Sequence, residues 1–564
     1  MAATAAVQQP MHIQHYPDSS LTLYARLRER WAAGIPCPSD TAFALGISLL
    51  WLLFYNVRFW QLALSAMWHP TPGAVLFLVS LFMLTLSLQA LLLLLWPTRW
   101  LTRVAASILF VIAALGAYFC SEYGAIMNKE MMRNVLQTDP AEAGALLNAD
   151  LGLHVALLGV LPALLVWRVR LPETRWKTQL SRRVLTIFSL LALSVVGLFA
   201  RSANYATFFR EHKPVRFTLS PAAEVISMAG LLSDSRNAQA NAPLIDPAGA
   251  AERSAPPTAK PLVLFLVIGE TARAANFQLG GYTRATNPEL AKISGLVYFQ
   301  RAASCGTSTA ISVPCLFSHL GRTDFKVDQA GRFTNLLDSL VKAGFDVEWR
   351  DNNSGCKGVC ARVASIEYRE SLDEVMLADL PARLRNIKRD TVIVFHQQGS
   401  HGPAYFERYP PAFERFQPAC RSNQLQHCTQ QQITNAYDNT IAYTDHMLAR
   451  QIAMLQEADS QVDGVLIYAS DHGESLGENG IYLHGMPYAF APAAQREVPM
   501  MVWTSAGYSH RTQLQADCLR AEAAAPVSHD FFYHTVLGAA EVRNQVYDRR
   551  LDLISGCKRA GGGE

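Results

Sequence analysis

Long and short apolar runs divide the chain into two unlike parts. In the first part, hydrophobic stretches fall at about 41–66, 73–96, 104–121, 151–167 and 184–200. A bilayer core takes about 20 apolar residues in a helix, with roughly 17–25 accepted, so five membrane-spanning helices are expected. The second run is the cleanest, because Ala74 to Trp96 contains no charged residue. Arg58 sits near the middle of the first run and leaves its depth and limits open. A single such run also suits a buried core helix; five in succession do not.

The second part has a different rhythm. Pro261–Glu270 is a short continuous apolar run, the pattern of a strand buried on both faces. Similar runs recur at Phe345–Arg350, Thr391–His396, Val465–Ser470 and Pro499–Thr504, with helical segments such as Asn335–Ala343 and Thr434–Glu457 between them. The alternation predicts an α/β domain, its central sheet covered by helices on both faces. Between the two parts, Pro214–Leu232 reads as a short helix at the membrane surface. Ser233–Lys260, rich in Ala, Pro, Asn and Ser, reads as a linker. The expected organisation is an N-terminal segment (1–40), a five-helix membrane domain (41–200), a surface helix with linker (201–260) and an α/β domain (261–564).

Charge sets the orientation. Arg26, Arg28 and Arg30 precede the first run; Arg99 and Arg103 lie in the second loop. Arg168, Arg170, Arg175, Lys177, Arg182 and Arg183 lie in the fourth. The first loop has no Lys or Arg, and the third has only Lys129 and Arg133. The positive-inside rule puts the N-terminus in the cytoplasm, and five spans then carry everything after about residue 200 outside. The first run begins too late and is too long for a cleavable signal, so it is expected to stay. Over all 564 residues the mean hydropathy is +0.10 and the net charge +3, which gives no argument for nucleic-acid binding. Eight of the ten cysteines fall in the external part. Oxidising surroundings favour disulfides, and spacing suggests 305–315, 356–360 and 420–428, with Cys518–Cys557 remaining. A cysteine zinc site is the rival reading, but no C-x₂-C pair is present.

Five polar stretches carry candidate chemistry. Gly269-Glu270-Thr271-Ala272-Arg273 puts a carboxylate at a strand end, where it suits metal ligation or a helix cap. Cys305-Gly306-Thr307-Ser308-Thr309-Ala310 opens a helix with hydroxyls. Free N–H groups and the positive dipole end there stabilise an alkoxide or a phosphate, and an ordinary Ser/Thr cap fits the same spacing. Asp351-Asn352-Asn353-Ser354-Gly355-Cys356-Lys357 offers donors to phosphate oxygens, or a solvated turn. His396-Gln397-Gln398-Gly399-Ser400-His401 places two histidines after a strand. Asp471-His472-Gly473-Glu474, with His484 further on, is the most specific of the five. Carboxylates, imidazole and hydroxyl together suit zinc or manganese. Metal-assisted phosphoryl-type transfer follows as the expected chemistry.

These stretches resemble the lipid A phosphoethanolamine transferases of the alkaline phosphatase superfamily, a family that includes the mobile colistin resistance proteins. The likeness spans nearly the whole chain. It rests on GETAR (269–273), CGTSTAISVPC (305–315), DNNSGCKGVC (351–360), HGPAYF (401–406) and SDHGESLGENGIYLHG (470–485). The resemblance implies Thr309 as the nucleophile that carries a covalent phosphoethanolamine. It implies Glu270, Asp471 and His472 as zinc ligands, with Thr309 as the fourth, and a second, weaker zinc at His401 and His484 is compatible with it. Asn353, Ser354, Lys357, His401 and His484 are implied to bind the phosphoethanolamine group, and His396 belongs to the same motif. In the third loop Asn134, Thr138 and Glu142 stand at i, i+4 and i+8. The resemblance gives them the phosphatidylethanolamine headgroup, with Glu142 suited to the ammonium; the polar face of a surface helix is the competing reading. Pro140 is expected to kink that helix or to start a new one.

The resemblance further implies a monomer in the Gram-negative inner membrane that takes phosphatidylethanolamine as donor and lipid A as acceptor. Polymyxin resistance would follow from lost surface charge. Transfer to core sugars or another glycan, or transfer of phosphoglycerol, are the alternatives. A sulfatase would need a C/S-x-P-x-R pattern, which Pro314-Cys315 does not supply. A scaffold without catalysis would need neither metal nor a reactive Thr309.

Overall fold

The computed structural model describes residues 34–67, 72–138, 140–237, 243–254 and 260–558. Arg26, Arg28 and Arg30 lie outside the described residues. The first apolar run is not one straight helix. It forms α1 (Asp40–Leu50), a π-helical turn (Trp51–Tyr55) and α2 (Val57–Met67), bent by 69°. Asn56 marks the bend. Its side-chain amide donates to the carbonyls of Trp51 (2.9 Å) and Ser220 (2.7 Å), so a polar group inserts where the ladder breaks.

Among the described residues, four further helices are long and apolar enough to cross a membrane: α3 (Pro72–Leu94), α4 (Arg99–Glu122), α7 (Ala149–Val166) and α8 (Trp176–Ala200). The bent pair makes a fifth when counted as one span. Helix α4 is the central one, with about half of its apolar window buried, against 11% for α8 on the perimeter. Between α4 and α7 lie α5 (Lys129–Gln137) and α6 (Pro140–Leu146). The expected continuous face through Asn134, Thr138 and Glu142 is therefore interrupted. Thr138 is the C-cap of α5, and Pro140, lacking an N–H, opens α6 with Glu142 in its first turn. The junction holds α9 (Ser202–Glu211), a 3-10 turn (Lys213–Thr218) and α10 (Ala222–Asn237), more helix than expected. The described part of the linker is tied down: Ile245 bridges Phe333, and Glu252–Arg253 pairs with Val542–Arg543.

The external domain is built on an 8-stranded sheet. Its strands are β1 (Leu262–Gly269), β2 (Val297–Ala303), β3 (Asp346–Asp351), β4 (Ala364–Glu367), β5 (Thr391–His396), β6 (Asp463–Ser470), β7 (Glu497–Thr504) and β8 (Pro526–Ser528). They lie in the order β8-β2-β7-β6-β1-β5-β3-β4, and β7 runs antiparallel to both neighbours. Side chains of β1 alternate between two cores. Leu262, Leu264, Leu266 and Ile268 face α11 (Thr309–Leu316), α12 (Leu336–Lys342) and α14 (Asp530–Ala539). Val263, Phe265 and Val267 face α13 (Gln430–Glu457). Burial on both faces is why β1 reads as an unbroken apolar run. Because β3, β5, β1 and β6 are parallel, their polar C-terminal residues emerge along one edge, where α/β sheets bind ligands.

The two domains meet along that edge. Tyr482 N–H donates to the carbonyl of Tyr123 (3.0 Å), and Asn423 donates to the Ala145 carbonyl (2.7 Å). Arg133 of α5 pairs with Asp328. Gly124, at φ +68°, brings its backbone so close that a Cβ would stand 2.6 Å from the Gly480 carbonyl oxygen.

Candidate active site

Three fully buried residues from two strand ends converge on one point. Glu270 follows β1; Asp471 and His472 follow β6. His472 Nε2 lies 3.3 Å from Glu270 Oε1 and 3.3 Å from Asp471 Oδ2. Its Nδ1 is 2.9 Å from the Gly473 carbonyl, which holds the proton there and turns the Nε2 lone pair inward. Asp471 Oδ1 accepts the N–H groups of Thr271 and His472. Glu270 Oε1 and Asp471 Oδ2 are buried with no hydrogen-bond partner, and the three ligand atoms lie within 4.8 Å of one another. Unpartnered buried carboxylate oxygens are costly. Two of them beside an imidazole lone pair form a donor set that fits a zinc ion. Burial and the neighbouring Asp471 carboxylate raise Glu270, and burial raises Asp471. Burial and the charge of His484 bring His472 down to about 4, so its ring is neutral and free to ligate.

Thr309 stands at the edge of this group. It is the first residue of α11, after the N-cap Ser308. Its hydroxyl donates to Glu270 Oε2 (2.9 Å) and lies 3.4 Å from His472 Nε2. The helix N-terminus adds a positive partial charge behind the oxygen. The Cys305–Cys315 disulfide staples the preceding loop to the end of the helix. Asn353 Nδ2 donates to Glu270 Oε2 (2.8 Å) and to the Gln397 carbonyl (3.0 Å), so it reaches the same carboxylate oxygen as Thr309.

A second cluster lies beside the first. Ligand atoms of Glu142, His401 and His484 all come within 4.8 Å of one another, and the His472 and His484 rings are 4.5 Å apart. Glu142 arrives from α6 and sits 3.4 Å from His401 Nε2. Burial alone would raise Glu142, but His401 and then His484 and Lys357 hold it down to about 2. Burial alone would lower His484, but Glu474, 3.0 Å from its Nδ1, lifts it to about 9. The cluster therefore presents a carboxylate and protonated imidazole side by side.

Two family models match this chain: Sulfatase over residues 263–542, and Phosphoethanolamine transferase EptA/EptB over residues 76–236. Phosphoethanolamine transferase EptA of Escherichia coli (strain K12) is 38% identical over 542 residues, covering 91% of this chain and 97% of that one. Phosphatidylethanolamine transferase Mcr-1 of Escherichia coli is 41% identical over 427 residues, covering 72% and 79%. The solved structure of the integral membrane protein lipooligosaccharide phosphoethanolamine transferase A (EptA) from Neisseria meningitidis superposes with a TM-score of 0.89 at 33% identity. It covers 93% of this chain and 100% of that one. The chain belongs to the phosphoethanolamine transferases.

The other expected residues of this transferase are distributed around the two clusters. Ser354 and Lys357 share the loop after β3, and the Lys357 ammonium donates to the Ser354 carbonyl (2.8 Å). His396 ends β5 with Nδ1 2.9 Å from Asp351 and Nε2 3.3 Å from the Asn353 amide. It therefore lies behind Asn353. Asn134 lies against Gly485, where a Cβ would stand 2.9 Å from its Nδ2. Thr138 does not reach out; its hydroxyl donates back to the Asn134 carbonyl (2.8 Å). All four expected disulfides are formed: Cys305–Cys315, Cys356–Cys360, Cys420–Cys428 and Cys518–Cys557.

Several supporting residues escape a motif-by-motif reading. Glu474 sits inside the Asp-His-Gly-Glu stretch, yet its task shows only when His484 and the Tyr405 hydroxyl (2.7 Å) both fall on its carboxylate. Asp373 accepts from Asn352 and from the N–H groups of Gln398 and Gly399, joining two site loops. His529 accepts from Cys305 N–H at Nδ1 (3.0 Å) and donates from Nε2 to the Ser470 carbonyl (2.9 Å). It thus links the Thr309 loop to the strand end before Asp471. No local sequence signal marks it.

Proposed function

We propose that this transferase moves phosphoethanolamine from phosphatidylethanolamine to a phosphate of lipid A, through a covalent adduct on Thr309. The observation that carries the reading is the Thr309 hydroxyl at a helix N-terminus, hydrogen-bonded to Glu270 beside two unpartnered carboxylate oxygens. Glu270, Asp471, His472 and the Thr309 hydroxyl are the residues that would hold zinc. A bound zinc supplies Lewis-acid charge that favours the threonine alkoxide and polarises phosphoryl oxygens.

The chain's own groups account for the rest. Glu270 Oε2 accepts the hydrogen bond from Thr309 and is the acceptor for its proton. The Thr309 oxygen forms a bond to phosphorus, and the bond from phosphorus to the diacylglycerol oxygen breaks. The protonated His484, with His401, suits the phosphate and can return a proton to the departing oxygen. Glu142 suits the ammonium, while Asn353, Ser354 and Lys357 supply donors at the phosphate. Asn134, against Gly485, stands on the approach from the membrane domain, Thr138 caps the helix that carries it, and His396 fixes Asn353. A lipid A phosphate oxygen then attacks the adduct, and Thr309 is released.

The setting that agrees with this is a monomer in the inner membrane of a Gram-negative cell, with residues 261–564 in the periplasm. Each transfer adds an ammonium to the lipid surface, weakening electrostatic capture of polymyxins such as colistin. The test is mass spectrometry of lipid A from cells expressing the wild type or Thr309→Ala, with zinc analysis of the purified protein. The expected result is phosphoethanolamine on lipid A with the wild type alone. Modification by Thr309→Ala, full activity after chelation, or the group found only on core sugars would each overturn the corresponding part.

A further inference from the structure

The junction after α8 carries charge in an unexpected place. Residues 201–217 contain Arg201, Arg210, Lys213 and Arg216 against the single acid Glu211. They follow the last long apolar helix, on the side where the other loops are poor in basic residues. Where such residues do occur on that side, carboxylates neutralise them: Lys129 pairs with Asp234 (2.8 Å), and Arg133 with Asp328. The junction differs. Arg210 reaches only Glu211, at 4.0 Å and with both side chains largely exposed. Lys213 and Arg216 are exposed and form no ion pair among the described residues. Their backbone is nonetheless anchored. Tyr205, Phe208 and Val215 are buried against Phe59, Phe77 and Leu81 of the membrane domain, which fixes Arg210 at the end of α9 and Lys213 and Arg216 in the 3-10 turn that follows.

The end of the same segment packs against the stretch that carries His484. The Phe217 carbonyl accepts from Met127 N–H (2.8 Å), and its ring packs with Ile126, Ile481, Met486 and Phe490. His484 lies within that stretch.

We propose that Arg210, Lys213 and Arg216 form a docking surface for the phosphate groups of the acceptor lipid. This rests on the lipid A reading above. Arg210 has only a loose, exposed ion pair, Lys213 has none among the described residues, and Arg216 rests its guanidinium over the Phe217 ring (4.6 Å) with no carboxylate partner among them; exposed cations of this kind at a lipid interface attract anionic headgroups. A lipid bearing phosphates on a compact sugar head places its charge at the level of this segment. The neutral donor, phosphatidylethanolamine, gains nothing from it. The surface therefore acts on the second half of the reaction and leaves the first untouched.

The test uses the full chain in phosphatidylethanolamine nanodiscs, with Arg210→Gln, Lys213→Gln and Arg216→Gln combined. Adduct formation on Thr309, read by intact-protein mass spectrometry, is expected to match the wild type. KM for lipid A is expected to rise roughly tenfold or more at low salt, with the difference shrinking as salt screens the charges. A charge-keeping variant, Arg210→Lys with Arg216→Lys, should restore wild-type KM. Phosphatidylglycerol added at equal phosphate should compete poorly. An unchanged KM for lipid A, an equal loss in adduct formation, or full competition by phosphatidylglycerol would overturn the proposal. A wild type that forms no adduct at all would overturn the underlying reading instead.

Discussion

At the scale of single residues, protonation and hydrogen-bond direction decide what each group does. His529 accepts at Nδ1 and donates at Nε2, which only the neutral ring can do. Burial keeps it neutral, lowering it to about 3. The unfolded ring takes a proton below about 6.5, so between pH 6.5 and 3 the unfolded state binds more protons. Stability should fall there as pH falls, by up to about 1.4 kcal/mol per pH unit from this residue. His529→Asn keeps an acceptor for Cys305 and removes the titration. Its melting temperature is expected to depend less steeply on pH between 6 and 4; an unchanged slope would refute this account. Glu474 offers a second case. Glu474→Gln leaves a neutral partner for His484, which should then lose its proton near neutral pH. We expect kcat to fall on the order of tenfold to a hundredfold, with zinc content unchanged. Loss of zinc from this variant would show that Glu474 supports the metal ligands and not His484.

At the scale of elements, a few covalent and polar ties hold site-bearing loops to rigid scaffolding. Cys356–Cys360 and Cys518–Cys557 close loops of very different length, with sequence separations of 4 and 39. Chain-entropy reasoning makes the longer one worth about 4 kcal/mol and the shorter about 2. Replacing Cys518 and Cys557 with Ser should therefore lower the melting temperature more than the same change at Cys356 and Cys360. The activity consequence should be reversed, because the short loop carries Lys357, whereas the long one reaches the site only through His529. Thermal melts and turnover of both variants check the two orders independently. Helix ends matter in the same way: α5 stops at Thr138 and α6 starts at Pro140. That break lets Glu142 turn away from the axis of α5 to meet His401.

At the scale of the whole molecule, the membrane domain supplies one member of the second cluster of the candidate site. Glu142 belongs to it, while His401 and His484 belong to the external domain. Under the proposed function, correct docking is therefore a condition of activity. Arg133 and Asp328 lie at that seam, both largely shielded from solvent. Asp328→Arg should lower turnover by roughly fivefold or more, and Arg133→Asp in the same chain should recover much of it. Coupling of neighbouring charges is commonly 0.5–3 kcal/mol. If the double variant is no better than the single ones, the seam does not transmit to the site.

Local periodicity was enough to separate a membrane part from an α/β part. It was also enough to mark β1, β3, β5, β6 and β7, because residue-by-residue burial writes itself directly into an apolar run. It did not reveal β2, β4 and β8. β4 is exposed along its length, and β2 mixes buried with exposed positions. Neither makes a clean run. The candidate residues that end β1 and β6 or open α11 stand out in the sequence because metal and phosphate chemistry draws on few side-chain types, and Glu270, Thr309, Asp471 and His472 are among them. Their convergence depended on parallel strands bringing distant segments to one edge. The same holds for the roles of Glu474, Asp373 and His529, whose partners lie up to 224 residues away. The bend at Asn56 and the break at Pro140 were likewise settled by tertiary contacts, since a side-chain amide or a missing N–H redirects a helix only where neighbours satisfy the freed carbonyls. Residue types along the chain determined what chemistry is available here. Packing decided which of those residues stand together, because a distance of a few ångströms in space leaves no trace in sequence spacing.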